Sequence, residues 1–312
     1  MRVHYNSPTQ PGGISRKNRE LLTTLARSTR GPFTVEEGKD LLRLPDRRTR
    51  RFLAYLVARG WLARVRPGVY VVSPMDITRP NEWREDPWIV ATKTFAPCYI
   101  GGWSACEHWG LTEQIFREIV VFTTCHMRNR VLSIQETTFR IRRISPAKLF
   151  GTRVVWRKQI RVDVSDPSRT LADILDDPSL GGGMKHVAGA VAAYFSGDSR
   201  DDNTLMQHID KLGNRTIHKR LGYLIEALSL NATSIVDYCK SKMSSGITFL
   251  DPSTGKRGRI LRRWNLLVNV DIRRGPWTRN PAGVLHTEVV RRKLSVGHEI
   301  KTEIMAQRFD ND

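Results

Sequence analysis

Residues 41–72 read LLRLPDRRTRRFLAYLVARGWLARVRPGVYVV, and the change of period inside that string decides the fold. From Asp46 to Arg59 the apolar positions recur at helical spacing. Thr49, Phe52, Leu53 and Leu56 fall on one stripe, and Arg47, Arg50, Arg51, Ala54 and Ala58 fall on the opposite one. After Gly60 the period drops to two: Trp61 to Arg66 alternates apolar and polar, Pro67-Gly68 turns the chain, and Val69-Tyr70-Val71-Val72 returns as a strand. A helix pinned by one greasy side and followed by a two-stranded ribbon is the outline of a winged helix-turn-helix.

Outward from that core, Asp46 behind Pro45 reads as the helix N-cap, and Gly60 sits where helices end in a left-handed residue. Thr34, three residues ahead of Glu37, predicts a capping box that opens a short helix through Leu42. A first helix is predicted from Ser15 to about Ser28, with Leu21, Leu22 and Leu25 facing inward.

The exposed stripe carries arginine, and that choice has chemical content. A guanidinium is a planar fork that can bind guanine O6 and N7 together and can also grip phosphate. Arg47, Arg48, Arg50 and Arg51, with only Asp46 nearby to balance them, are therefore expected to enter DNA. Arg64 and Arg66 on the ribbon are expected to hold its backbone, and Arg16 and Lys17 at the start of the first helix complete the candidate DNA-binding set.

Composition agrees with an anionic partner. The 312 residues carry a formal net charge of +20, and residues 1–80 hold 16 Lys and Arg against 6 Asp and Glu, so half the excess sits in a quarter of the length. With 40% hydrophobic residues the chain can build two cores. No stretch approaches the ~18 uninterrupted apolar residues of a membrane span, and the N-terminus lacks a signal-peptide apolar region, so a cytoplasmic protein without a membrane partner is expected. The sequence carries no signal for oligomeric state, free or on DNA.

The remainder mixes element types. Pro74 to Pro87 reads as a linker, followed by a helix from Pro87 to Phe95. A strand end turning through Gly101-Gly102 leads to a short helix opened by Ser104 and stopped at Gly110. Strands are predicted at Glu118–Thr123, Thr138–Ile144, Val154–Trp156 and Ile160–Val164, then a helix through Asp176 capped by Asp166 with Pro167 at its first position. Helices follow at 184–195, 204–212, 214–228 and 231–242, with Leu221, Leu224, Ile225 and Leu228 on an apolar stripe and His218, Lys219 and Arg220 starting a polar one. Without βαβ alternation the fold class is α+β: an N-terminal winged helix-turn-helix domain (1–80), a larger mixed α/β C-terminal domain with a helical segment (81–275), and a basic tail (276–312).

Between 251 and 293 the chain turns basic again, with 11 Lys and Arg against 3 Asp and Glu. Arg257, Arg259, Arg262 and Arg263 edge a predicted small sheet built on Ile260, Leu261, Trp264 and Leu266 to Val270. That second patch fits DNA-backbone contact, partner docking or a solvated face, three readings that composition does not separate.

Catalytic and metal chemistry find little support. Cys98, Cys106, His108, Cys125 and His126 lie within 29 residues but lack the paired spacing of a structural zinc site, and the four cysteines read as free thiols. Gly181-Gly182-Gly183 lacks the phosphate-loop frame and reads as a helix-helix turn. Glu107 and His108 suggest acid/base chemistry only in isolation, since Trp103, Trp109 and Leu111 around them point to a packed motif. A DNA-acting nuclease with a winged-helix targeting domain is the alternative from another class. It needs clustered carboxylates, and Asp163, Asp166, Asp173, Asp176 and Asp177 are expected to be helix caps and solvated groups. No enzyme activity, metal or cofactor is expected.

The block Tyr99-Ile100-Gly101-Gly102-Trp103-Ser104-Ala105, followed by His108-Trp109-Gly110-Leu111-Thr112-Glu113-Gln114, resembles the AbiEi family of antitoxin transcriptional regulators from bacterial abortive-infection toxin–antitoxin systems. Ala58 to Tyr70 resembles that family's winged-helix ending. Ile144-Ser145-Pro146, Phe150-Gly151, Val164 to Asp173, Gly182-Gly183 and Arg220 to Leu224 resemble its C-terminal domain. The likeness runs over about residues 15–272, and the tail from Gly275 matches nothing. It implies a repressor of its own operon that binds repeated elements in double-stranded promoter DNA. It also implies a cognate nucleotidyltransferase-like toxin, with the C-terminal domain associated with antitoxicity.

Overall fold

The computed structural model describes residues 13–73 and 84–272; residues 74–83 of the expected linker and the tail from 273 lie outside the described residues. The chain opens with α1 (Arg16–Ser28), capped by the Ser15 hydroxyl, which accepts from the Asn18 amide. A two-residue strand β1 (Phe33–Thr34) runs into α2 (Val35–Leu42). The capping box forms as its spacing requires: the Thr34 hydroxyl accepts from the Glu37 amide, and the Glu37 carboxylate accepts from the Thr34 amide. Then come α3 (Asp46–Ala58), β2 (Leu62–Arg66) and β3 (Val69–Val72), with β3 central and antiparallel to both β1 and β2. Gly60 and Gly68 take φ of +77° and +83°, which closes the helix and turns the wing.

The buried residues of α3 are Thr49, Phe52, Leu53 and Leu56, the stripe set by the sequence period. Leu25 of α1 joins Leu53 and Leu56 among side chains with no exposure, and each such leucine contributes about 1.5–3 kcal/mol through burial. One boundary differs from expectation. Pro45 occupies the N-cap and makes no side-chain cap bond, while Asp46 is already helical and its carboxylate turns to Arg50 one turn on. Pro45 is extended (ψ 148°), which fits a residue leading into a helix from outside it.

Beyond the gap, α4 (Pro87–Phe95) starts with Asp86 accepting from the Trp88 amide. Next come β4 (Cys98–Ile100), α5 (Gly102–His108), β5 (Glu118–Thr123), β6 (Val131–Ile134), β7 (Thr137–Arg143), β8 (Thr152–Arg157) and β9 (Ile160–Ser165). They form a mixed six-stranded sheet in the order β6-β7-β5-β4-β9-β8, parallel at β5–β7 and β4–β9 and antiparallel elsewhere. Helices α6 (Pro167–Asp176), α7 (Met184–Ser196), α8 (Asp202–Leu212), α9 (Thr216–Ala227) and α10 (Thr233–Lys242) follow in series. A small sheet of β10 (Thr248–Phe249), β11 (Arg259–Leu261) and β12 (Leu266–Val268) ends the described chain, in the order β10-β12-β11.

The wing packs into the core beneath the larger sheet. Val65, Val69 and Val71 share one core cluster with Trp88, Ala91 and Phe95 of α4 and with Val162 and Val164 of β9. Lys93 of α4 pairs with Glu37, the residue that also closes the α2 capping box. Burial works against the Glu37 charge, but the Lys93 ammonium and the Thr34 amide outweigh it and hold the carboxyl below its usual value.

Several expectations need correction. The helix at Gly102 starts two residues before Ser104, whose hydroxyl instead accepts from the Val120 amide in β5. Strands β1 and β6 were not foreseen. His218, Lys219 and Arg220 do not form a solvated stripe: all three are buried. Lys219 donates to the Gly246 carbonyl, and Arg220 donates to the carbonyls of Leu175, Asp176, Phe249 and Leu250. Because α9 is covered on both sides by backbone with unfilled acceptors, cations are the residues that fit there. On the same helix Gly222 lets the Trp264 ring approach: an added Cβ would lie 2.1 Å from that ring.

Candidate nucleic-acid interface

The outward face of α3 is almost free of internal commitments. Arg47, Arg48, Arg50 and Arg51 are all exposed, as are Ala54 and Ala58 on the same side. Among the described residues, Arg47, Arg48 and Arg51 have no ion pair or hydrogen-bond partner for their side chains. Arg50 is the exception, with its Nε 2.8 Å from Asp46 Oδ2. The pair shifts both groups toward their charged forms, the carboxyl down and the guanidinium up, chiefly through that hydrogen bond. The small side chains at 54 and 58 leave the helix axis free to approach a groove wall, and a major groove admits a helix of this kind.

The ribbon places its two arginines differently. Arg64 is exposed on β2 opposite Tyr70, but the register shifts between Arg64 and Arg66, so regular alternation is broken there. Arg66 is half-buried, and its guanidinium reaches the Thr94 carbonyl of α4 at 3.4 Å. A bulge re-aims the side chain that follows it, and here it ties the wing to the body. Arg16 and Lys17 stand exposed at the start of α1, with Arg16 3.6 Å from Glu20.

The second basic patch sits on the small sheet, where Arg257, Arg259, Arg262 and Arg263 are exposed. Arg263 is partly neutralised by Glu226 at 2.6 Å, and the same carboxylate accepts from the buried Trp264 indole at 2.7 Å. This arginine therefore anchors the sheet to α9.

The acids of the C-terminal part are dispersed among separate partners. Asp166 caps α6 and also meets His208 at 3.0 Å, Asp177 caps a short turn, Asp163 pairs with Arg161, and Asp176 accepts from Asn214. Asp173 corrects the expectation of capping or solvation. It is 3% exposed, 2.9 Å from Arg169 Nε and 2.9 Å from the Tyr99 hydroxyl. Burial pushes its carboxyl up to about 6 against the pull of Arg169 and Tyr99. Among the described residues no group of three or more His, Cys, Asp or Glu side chains is arranged to hold a metal ion. Burial pushes the thiols of Cys98, Cys106 and Cys239 up to about 12, far from the thiolate form that ligates metals or attacks.

The first helix from its fifth residue, the α2–turn–α3 pair and the whole wing are also where similarity to known proteins concentrates. Residues 20–73 match the family model of the AbiEi antitoxin transcriptional regulators. The matched segment thus ends one residue past β3 and contains every arginine of the α3 face. Among solved structures, the RV2827C protein from Mycobacterium tuberculosis is similar in fold, with a TM-score of 0.58 at 16% identity over 84% of this chain and 94% of that one. At 84% of the chain, that likeness extends well beyond the length of the segment 20–73. No curated protein sequence matches the chain.

Proposed function

We propose that the protein is a DNA-binding antitoxin that represses its own toxin–antitoxin operon from the cytoplasm, without enzymatic activity of its own. In this reading residues 1–80 form the DNA-binding domain, 81–275 the domain that counteracts a nucleotidyltransferase-like toxin, and 276–312 a basic tail. Helix α3 enters the major groove of promoter DNA with Arg47, Arg50 and Arg51 toward base edges and Arg48 toward the flanking backbone. Arg64 at the wing and Arg16 and Lys17 at α1 contact phosphate, and the Arg257–Arg263 patch offers a further anionic contact. The observation that carries this reading is the exposed face of α3, where three of four arginines have no partner among the described residues.

The match of residues 20–73 to AbiEi antitoxin regulators supports the same reading. Among the described residues no helix is long and apolar enough to cross a membrane. A footprint of the purified protein on the promoter of its own operon tests the proposal. A protected, repeated element whose protection Arg47→Ala and Arg51→Ala each shift to higher protein concentration is the expected result, and equal affinity for promoter and unrelated duplex would end it. A nucleotidyltransferase reading frame immediately downstream is the expected genetic context.

A further inference from the structure

Among the described residues the six-stranded sheet ends at β8, which pairs with β9 alone and does so over six residue pairs with no register shift. The hairpin closes through Lys158 and Gln159, which makes Arg157 and Ile160 the hydrogen-bonded pair beside the turn. At the other end the Gly151 carbonyl accepts from the Asp166 amide at 2.9 Å, which fixes the same phase. The N–H and C=O groups of Thr152, Val154 and Trp156 therefore point away from β9, toward the open edge. Their side chains share the outer face, where Val154 is 42% and Trp156 66% exposed.

Arg153 and Arg157 alternate onto the opposite face. Their guanidinium groups lie 5.8 Å above the Trp109 ring and 4.4 Å above the Trp88 ring. Neither has a carboxylate partner among the described residues, and the Arg157 Nε is buried with no hydrogen-bond partner. Edge strands are ordinarily blunted by Pro or a bulge, and β8 contains neither.

We propose that β8 is an acceptor edge for an extended segment of a partner protein whose side chains alternate apolar and acidic. A strand added here gains main-chain hydrogen bonds from Thr152, Val154 and Trp156. Its side chains fall beside β8 side chains of the same face, so one set meets Val154 and Trp156 and the next meets Arg153 and Arg157. Charge complementarity selects the occupant: β8 contains no acidic residue, so a second copy of this chain offers nothing to Arg153 and Arg157, and self-pairing centred on Val155 would set Arg153 of each copy opposite Arg157 of the other. The site is separate from the α3 face and does not depend on DNA reading.

A fluorescein-labelled synthetic peptide of about eight residues with Val and Glu alternating, titrated with the full-length protein and followed by anisotropy, tests the proposal. Saturable binding is expected, weakened about tenfold or more by Val154→Pro, which deletes an outward N–H yet keeps every bond to β9, and likewise by Trp156→Glu. Both variants are expected to melt with the wild type; if Val154→Pro unfolds, Trp156→Glu carries the test alone. Absence of saturable binding, equal binding of a Val/Lys peptide, or binding indifferent to Trp156→Glu would overturn the proposal. So would tighter, competing binding of single-stranded oligothymidylate, or a dimer in sedimentation velocity that Val154→Pro dissociates.

Discussion

The arginines of α3 and those of the helical layer are the same residue with opposite fates. Arg169 has no exposure and all three of its guanidinium nitrogens donate, to Asp173 at 2.9 Å, the Tyr99 hydroxyl at 2.9 Å, and the carbonyls of Lys148 and Phe150 at 3.0 and 3.1 Å. Arg220 is equally committed, to four backbone carbonyls. Arg47, Arg48 and Arg51 are exposed and have no side-chain partner among the described residues. A guanidinium whose fork is satisfied from within specifies the fold, whereas one left open on a rigid helix is available to recognise something else.

The largest expected effect tests the inner half of that contrast. Arg169→Leu leaves the Asp173 carboxylate buried without its counter-ion and should cost about 3–5 kcal/mol in denaturant unfolding, part of which Asp173→Asn in the same chain restores. Next, Arg47→Ala and Arg51→Ala should weaken promoter binding by about 1–3 kcal/mol while stability changes by less than about 0.5 kcal/mol. If Arg47→Ala destabilised the protein as Arg169→Leu does, the contrast would be lost. Arg64→Ala should weaken binding across all sequences and lower the slope of log affinity against log salt by about one, read from filter binding at several ionic strengths.

Two smaller effects sharpen the picture. Asp46→Asn frees Arg50 from its ion-pair partner among the described residues and should tighten DNA binding a few-fold, at a slight loss of helix stability because a negative charge leaves the first turn. Glu37 titrates below its usual 4.5, so the stability it contributes is present above the unfolded value and disappears as pH falls through the folded one. Glu37→Gln should therefore lower the melting temperature at neutral pH, where that contribution is complete, and converge with the wild type as the pH falls below about 4.5, which flattens the acid limb of the profile.

What the sequence made legible was whatever depends on near neighbours. The buried stripe of α3, the Thr34–Glu37 box and the left-handed glycines at 60 and 68 are all consequences of spacing within one or two turns. What it hid depends on chain that arrives from far away. Strand β1 is two residues long and exists only because β3 lies beside it, and the spacing of Arg169 and Asp173 permits a pair without revealing that Tyr99 seals it. The bulge that separates Arg64 from Arg66 leaves no mark in an otherwise regular alternation. Lys219 and Arg220 read as a polar stripe because their acceptors are backbone carbonyls, which a sequence does not display.

The valines that line the underside of the wing belong to the same core as the central sheet, and the cap of α2 is clamped by α4. On the proposed function, the part that reads DNA accordingly has no swivel. Where two copies occupy neighbouring elements on one duplex, the stretch of DNA between those elements becomes a ruler cut to the dimensions of the bodies, and inserting half a helical turn there should exclude one copy while the other stays bound.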